Sequence, residues 1–434
     1  MFNILPKAKE DFASCYVSSE NISADKEDTQ YETTKARLLD AGFSRCNRGV
    51  LLKADKIIVE SVQSLPPVSL KDEYTFIRKY WGTAWTMYAY FLRMLSLKNW
   101  IKETKAFLST RNVHKQQLYA SPVLYSEYEN FDSPLLKQEP LVAVIIPTLN
   151  RYKYLKDVLN DLEKQQYKNF EVVVVDQSDD FNENFYKQFH LHFKIIRQQE
   201  KKLWTARNNA IKSTSASLLL FFDDDSRIEP NWITEHIKCI DFFKADISAG
   251  VSLAVVGQKI SGGYNYFRWA TQFDSGNAMV RREVFRKIGL FDEQFNGMRM
   301  GDGEFGYRAY TNGFKSISNY KAPRVHLKVS EGGLREMGSW DGFRPTKWFA
   351  PKPVPSVLYL YRKYLTKELY RHAVWLGIML SNVSYKQKGK SSMLVLSMLL
   401  TVIKSPLLCV QYLRAAAIAK KMLQNGYEPE FLNN

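Results

Sequence analysis

Leu218-Leu219-Leu220-Phe221-Phe222-Asp223-Asp224-Asp225 is the stretch that decides how this chain is read. Five apolar residues in a row suit a strand buried on both faces, the kind found in parallel sheets covered by helices. The run ends in three consecutive carboxylates, and the carboxyl edge of an open α/β sheet is where ligands bind. Clustered carboxylate oxygens suit a hard cation such as Mg²⁺ or Mn²⁺. The stretch therefore implies a sheet edge that grips a cation and, through it, phosphate oxygens.

Outward from that run, residues 141 to 329 alternate apolar strands with amphipathic helices, the pattern of a mostly parallel sheet with crossover helices. Leu141 to Ile146 reads as a first strand ended by Pro147, and Leu155, Val158, Leu159 and Leu162 recur on one helix face. Phe170 to Val175, nearly all valine, reads as a second buried strand that runs into the polar turn Asp176-Gln177-Ser178-Asp179-Asp180. Phe193 to Ile196 is a short third strand, and Thr205 to Ile211 a short helix before the acidic run. Beyond that run, Pro230 suits a first helical position, with Ile233, Ile237 and Ile240 on one face.

The flanks are of different character. Ser18 to Thr34 is polar and reads as a loop, while Tyr74 to Leu108 is aromatic-rich and reads as helical. Pro345, Pro351, Pro353 and Pro355 mark a second boundary. Three regions follow: a mostly helical accessory region over 1–140, the α/β domain over 141–345, and a basic helical region over 346–434. With 434 residues and 45% hydrophobic content the chain can bury a sizeable core, which excludes a disordered protein. The cysteines Cys15, Cys46, Cys239 and Cys409 have neither disulfide-framework nor zinc-site spacing, which fits a reducing, cytoplasmic setting. Met1 to Glu10 has no apolar run behind a basic start, so no secretory signal is expected there.

Six short motifs follow one another through the α/β segment: Pro147-Thr148-Leu149-Asn150-Arg151, Asp176-Gln177-Ser178, Ala206-Arg207-Asn208-Asn209, Asp223-Asp224-Asp225, Gly276-Asn277 and Gly301-Asp302-Gly303-Glu304. In that order they resemble a family-2 glycosyltransferase with the GT-A fold, a Rossmann-like α/β architecture, over roughly residues 141 to 330. The resemblance implies a nucleotide-sugar donor and Mn²⁺ or Mg²⁺. Asp225 matches the last acid of the family's D-x-D motif and would coordinate the cation, with Asp223 on ribose or a metal-bound water and Asp224 less defined. Thr148, Asn150, Arg151 and Asp176 would meet base and ribose, and Arg207 the base and phosphates. Gly276 and Asn277 would floor the acceptor site, and His326 would complete the metal site.

Asp302 is implied as the catalytic base. An acceptor hydroxyl is a poor nucleophile, so a carboxylate facing it across the anomeric carbon from the diphosphate can take its proton during attack. The family's usual Glu-Asp pair is broken here: Gly301 stands where the Glu would be, while Asp302, Glu304 and Arg308 keep their places. Glu304 would orient the base or bind acceptor hydroxyls. Each assignment has a plainer alternative: an Asx-turn for Asp176, a helix-surface ion pair for Arg207, an i, i+4 pair for Glu304 and Arg308, a simple turn at Gly276, and a structural His326.

The formal net charge is +16, and Thr346 to Gly426 holds 13 Lys and Arg against the single acid Glu368. Ser356 to Leu380 carries Leu358, Tyr361, Leu365 and Leu369 near one face and Lys363, Lys367 and Arg371 on another, as an amphipathic helix on an anionic membrane surface would. The apolar run Met393 to Ile403 is shorter than the ~20 residues of a spanning helix, so an in-plane or partly inserted hairpin is expected. Together these features point to an inverting, metal-dependent glycosyltransferase, peripheral on the inner face of the cell membrane, that acts on a glycan or lipid-linked saccharide in surface polysaccharide synthesis. A nucleotidyltransferase would want a glycine-rich basic loop after the first strand, which Pro147 to Arg151 lacks. A nucleic-acid partner is not expected, because the basic excess lies outside the α/β segment and alternates with apolar runs.

Overall fold

The computed structural model describes residues 28–51, 56–95, 99–270, 273–329, 331–333, 342–344, 347–384, 387 and 390–432. Expectations for Met1 to Glu10, most of Ser18 to Thr34, Cys15 and Pro345 fall outside these residues. The chain forms two compact units, Met1–Leu124 with Gly389–Val395, and Tyr125–Lys388 with Leu396–Asn434.

The first unit is helical: α1 (Thr34–Asn47), α2 (Lys56–Ser64), α3 (Leu70–Trp81), α4 (Thr83–Leu95) and α5 (Trp100–Ser109). Its core packs Tyr31, Leu39 and Phe43 against Phe76 and Tyr80. The buried Asp40 carboxylate accepts from the hydroxyls of Tyr31 and Tyr80 at 2.7 and 2.8 Å and pairs with Lys79 at 2.5 Å. A buried charge is kept only when so satisfied.

In the second unit a short 3-10 turn (Ser126–Tyr128) precedes α6 (Pro134–Lys137), followed by β1 (Val142–Thr148), α7 (Tyr152–Glu163), β2 (Phe170–Asp176), α8 (Glu183–Tyr186), β3 (Phe193–Arg197), α9 (Leu203–Ser213), β4 (Leu218–Phe222) and β5 (Ser226–Ile228). It continues through α10 (Trp232–Phe242), β6 (Ile247–Leu253), β7 (Arg268–Trp269), β8 (Asn277–Arg281), α11 (Arg282–Ile288), α12 (Gly301–Thr311) and β9 (Ser316–His326). The last helices of the chain are α13 (Pro355–Tyr364), α14 (Lys367–Leu380), α15 (Ser391–Ile403), whose residues up to Val395 belong to the first unit, and α16 (Ser405–Gln424).

The strands form one sheet in the order β3-β2-β1-β4-β8-β6-β9-β5, with β7 also on β9. Neighbours from β3 to β4 are parallel, and β8 runs against β4. The chain leaves β1 toward β2 on one side and β4 lies on the other, so the carboxyl ends of β1 and β4 flank the crevice where such sheets bind ligands. Val172, Val173, Val174 and Val175 are all fully buried, because alternate residues enter two different cores. One core holds Val142, Val144, Val172, Val174, Leu218 and Leu220 under α7 and α10; the other holds Ile145, Val173, Val175, Leu219 and Phe221 under α9, α11 and α12. The Leu155, Val158, Leu159 and Leu162 stripe of α7 is wholly inside. Truncating one such leucine to alanine costs about 2–5 kcal/mol.

Three local readings need correction. Pro147 does not end β1 but lies within it opposite Val175. Pro230 precedes α10 by two residues and accepts from the Gln166 amide instead of opening the helix. The single basic helix expected over Ser356 to Leu380 is two: Thr366 caps α14 by accepting from the Leu369 amide, which stops α13 at Tyr364. Leu358 and Leu360 are fully buried, and α13, α14 and α16 contribute Leu358, Val374, Ile378, Leu408 and Ala415 to the α9 and α12 side of the core.

Candidate active site

Topology explains why residues so far apart in sequence meet. Asp223, Asp224 and Asp225 follow β4 at its carboxyl end. Since β8 is antiparallel to β4, Asn277 pairs with Phe222 and Gly276 arrives beside Asp223. Likewise β5 pairs with β9 in the register Ser226 to His326, which brings the histidine to Asp225. The acids sit in the turn that follows β4: Asp223 meets Arg207 and Arg324, Asp225 meets His326, and Arg151 reaches both Asp224 and Asp225.

Asp223 lies between two guanidiniums, with Arg207 Nη2 at 3.1 Å and Arg324 Nη1 at 2.7 Å. Burial opposes its charge, yet Arg324 and Arg207 hold its carboxyl far below the usual range. A side chain at Gly276 would put its Cβ 2.1 Å from Asp223 Oδ2, so glycine there makes room for the acidic cluster. Asp225 lies 3.1 Å from His326 Nε2 and accepts from the Val329 amide. Its burial is outweighed by the hydrogen bond and charge of His326, which lower its pKa. One ligand atom each from Asp223, Asp225 and His326 lie within 4.8 Å of one another. Two carboxylates and an imidazole fit a hard divalent cation such as Mn²⁺ or Mg²⁺.

Asp224 turns the other way. It is 4% exposed, accepts from Thr148 Oγ1 at 2.8 Å and Arg151 Nη1 at 2.9 Å, and is pushed up to about 6 chiefly by burial. Arg151 also donates to the carbonyls of Glu331, Val329 and Gly332. It therefore fastens the segment after His326, and Gly333 is required because a Cβ there would meet the guanidinium at 2.4 Å. The expected nucleotide contacts Thr148, Arg151 and Asp224 are thus bonded to one another inside the protein.

Asp176 is 1% exposed and accepts from the hydroxyls of Tyr152 and Tyr186 at 2.6 and 2.7 Å and from the Ser178 amide at 2.9 Å. The last of these is the Asx-turn alternative. Asn150, at φ +54°, exchanges hydrogen bonds with Asp179 across the same turn. Arg207 is buried under the ring of Trp204, 5.0 Å from its centroid, and its Nε has no hydrogen-bond partner among the described residues.

Asp302 sits in the first turn of α12, half-buried. Its carboxyl is pushed up to about 6 first by burial and next by the negative charge of Asp274, while Arg207 lowers it. The absent family Glu has a steric explanation: a Cβ on Gly301 would lie 2.3 Å from the Trp204 indole.

Two residues expected at the acceptor site are engaged inside the protein. Asn277 is fully buried, accepting from Trp232 Nε1 and His236 and donating to the carbonyls of Val251 and Ala322, so its amide joins strands. Glu304 is fully buried, held by Arg308 Nη2 and Lys363 Nζ at 3.0 Å each and by the Tyr364 hydroxyl at 2.5 Å. It anchors α12 to α13.

Sequence reasoning missed Arg324 and Asp274. Arg324 is 3% exposed and bonds Asp223, Ser226, Ser252 and both oxygens of Asp274, which ties the acids into one network. The only sequence signal was Arg324 two residues before His326.

Residues 143–302 match the family model Glycosyl transferase family 2. Glycosyltransferase GlyA of Streptococcus pneumoniae serotype 4 is 34% identical over 113 residues, 25% of this chain and 16% of that protein. Chondroitin synthase of Escherichia coli is 27% identical over 222 residues, 49% of this chain and 30% of that protein. The chain spans less than a third of either relative. Among solved structures, S. aureus TarS 1-349 in complex with UDP-GlcNAc, at 19% identity, aligns over 66% of this chain and 92% of its own with a TM-score of 0.44.

Proposed function

We propose that this chain, whose residues 143–302 belong to glycosyltransferase family 2, transfers a sugar from a nucleotide-sugar donor to a hydroxyl of a glycan acceptor with inversion at the anomeric carbon. What supports the reading is the Asp223, Asp225 and His326 cluster, together with Arg207, which is hydrogen-bonded to Asp223 and whose charge acts on the Asp302 carboxyl.

Asp225 and His326 would take the larger part in holding Mn²⁺ or Mg²⁺, because Asp223 is already shared between Arg207 and Arg324. When bound, the cation offsets the charge that develops on the departing diphosphate. Arg207 presents a fixed positive charge beside it. Asp302 takes the proton of the attacking hydroxyl; a carboxyl with a pKa of about 6 is a stronger base than an ordinary one and still ionised at neutral pH.

The similarity to a chondroitin synthase favours polysaccharide synthesis as the setting. A lipid-linked acceptor at the inner face of the cell membrane fits the basic C-terminal helices. Among the described residues no single helix is long and apolar enough to cross a membrane, but α15 and α16 form a bent pair at 80°. Leu399, Val402, Ile403 and Leu413 are exposed along it, near Lys404 and Arg414. Exposed apolar side chains beside cations suit an anionic lipid surface.

The test is sugar transfer from a panel of UDP- and GDP-sugars, with and without Mn²⁺, by the wild type and Asp302→Asn. Turnover that needs the cation and disappears in the variant, with donor binding retained, supports the reading. Wild-type turnover by Asp302→Asn refutes the base assignment.

A further inference from the structure

Asn277 and Glu304 spend their polar groups inside the protein. A cavity of about 300 Å³ opens beside the acidic network, lined among others by Ser252, Gln258, Ser261, Tyr264, Arg268 and Asp274. It is at the lower end of the ~300–1,000 Å³ typical of small-molecule sites, room for a sugar ring and not for a long chain.

We infer that this cavity is the acceptor subsite, that it takes one pyranose ring, and that Tyr264, Arg268 and Asp274 set its specificity. The inference rests on the glycosyltransferase reading above. Hydroxyls, an amide, a carboxylate and a guanidinium around one aromatic ring match the two faces of a sugar. The C–H face packs on the phenol while hydroxyls pair with the polar groups.

The phenol is held ready. Arg268 is buried, donates to the Gly263 carbonyl at 2.9 Å and stacks its guanidinium 5.3 Å from the Tyr264 centroid, while the ring itself stays 40% exposed. Asp274 connects the cavity to the chemistry. Its carboxylate accepts from Ser252 Oγ at 2.5 Å and from Arg324 Nη2, and Arg324 in turn holds Asp223. After burial, the charge of Asp274 is the largest influence raising the Asp302 carboxyl, which couples the cavity's carboxylate to the candidate base. A ring bound there would lie against Asp274, one arginine removed from Asp223.

The experiment uses the full chain with Mn²⁺ and whichever of UDP and GDP stabilises it. Binding of the methyl pyranosides of glucose, galactose, mannose and N-acetylglucosamine is read by saturation-transfer NMR. Two rim variants are compared, Tyr264→Ala, which removes the platform, and Ser261→Trp, which fills the mouth. At least one pyranoside should bind the wild type, and each variant should weaken it about tenfold or more, with thermal stabilisation by nucleotide and Mn²⁺ unchanged. The inference is overturned if no pyranoside binds, if either variant binds as the wild type does, or if stabilisation by nucleotide and Mn²⁺ falls in parallel, which would make the cavity the donor's. If neither nucleotide stabilises the wild type, the glycosyltransferase reading itself fails, an outcome separate from the others.

Discussion

Lowering the pH from 7 to 5 should slow transfer about tenfold through Asp302. Burial, and after it the charge of Asp274, hold this carboxyl at about 6 instead of the ordinary 3.8. A general base works only when deprotonated. At a pKa of about 6 roughly nine-tenths of the molecules qualify at pH 7 and one-tenth at pH 5; at the ordinary value roughly nine-tenths would still qualify at pH 5. The assay is the initial rate at saturating donor and Mn²⁺ across this range. Asp274→Asn should move the acid limb to lower pH by less than about one pH unit, because burial is the larger cause. Asp302→Asn should remove the limb and about 10²- to 10⁴-fold of the rate. Stability runs in the opposite sense. A carboxyl whose folded pKa is raised contributes less stability as pH climbs from 3.8 toward 6, so at pH 7 Asp302→Asn should melt no lower than the wild type. A rate that stays flat between pH 5 and 7 would refute this reasoning.

Lys363→Met leaves Glu304 with Arg308 and Tyr364 but without its ammonium partner, and should cost about 1–3 kcal/mol in urea unfolding. Glu304 is held below its ordinary pKa, with Arg308 and then Lys363 overcoming burial, so its stabilisation is present at neutral pH and lost on acidification. In the variant that loss should begin at higher pH, and an unchanged acid limb would count against the anchor. Gly301→Glu should destabilise by about 1–3 kcal/mol by crowding Trp204. The penalty should shrink in a Trp204→Ala background, and an equal penalty there would discard the steric explanation. Flotation with phosphatidylserine vesicles should succeed at low salt and fall as salt rises; equal flotation with neutral vesicles would remove the electrostatic part of the membrane proposal.

How much of this was readable from residues depended on the range of the signal. The valine run of β2 and the α7 stripe encode burial locally, and both lie where periodicity put them. The acidic triplet encodes its place at a sheet end, although the carbonyls tied by Arg151 come from a segment some 180 residues away. The break between α13 and α14 carried a local signal that the charge pattern obscured: Thr366 is a strong N-cap residue. Long-range geometry was not legible. Nothing beside Gly301 announces Trp204, and nothing beside Asn277 announces that Trp232, His236, Val251 and Ala322 consume its amide. Arg324 and Asp274 became visible only when β9 and the turn before β8 met at the end of β4.

The most direct test is Mn²⁺ binding followed by electron paramagnetic resonance of the free ion, with a nucleoside diphosphate present, for the wild type and Asp225→Asn. We expect the wild type to take up one Mn²⁺ per chain and the variant to leave it in solution, while Asp302→Asn still binds. Equal uptake by Asp225→Asn, or none by the wild type, would contradict a cation held at the end of β4.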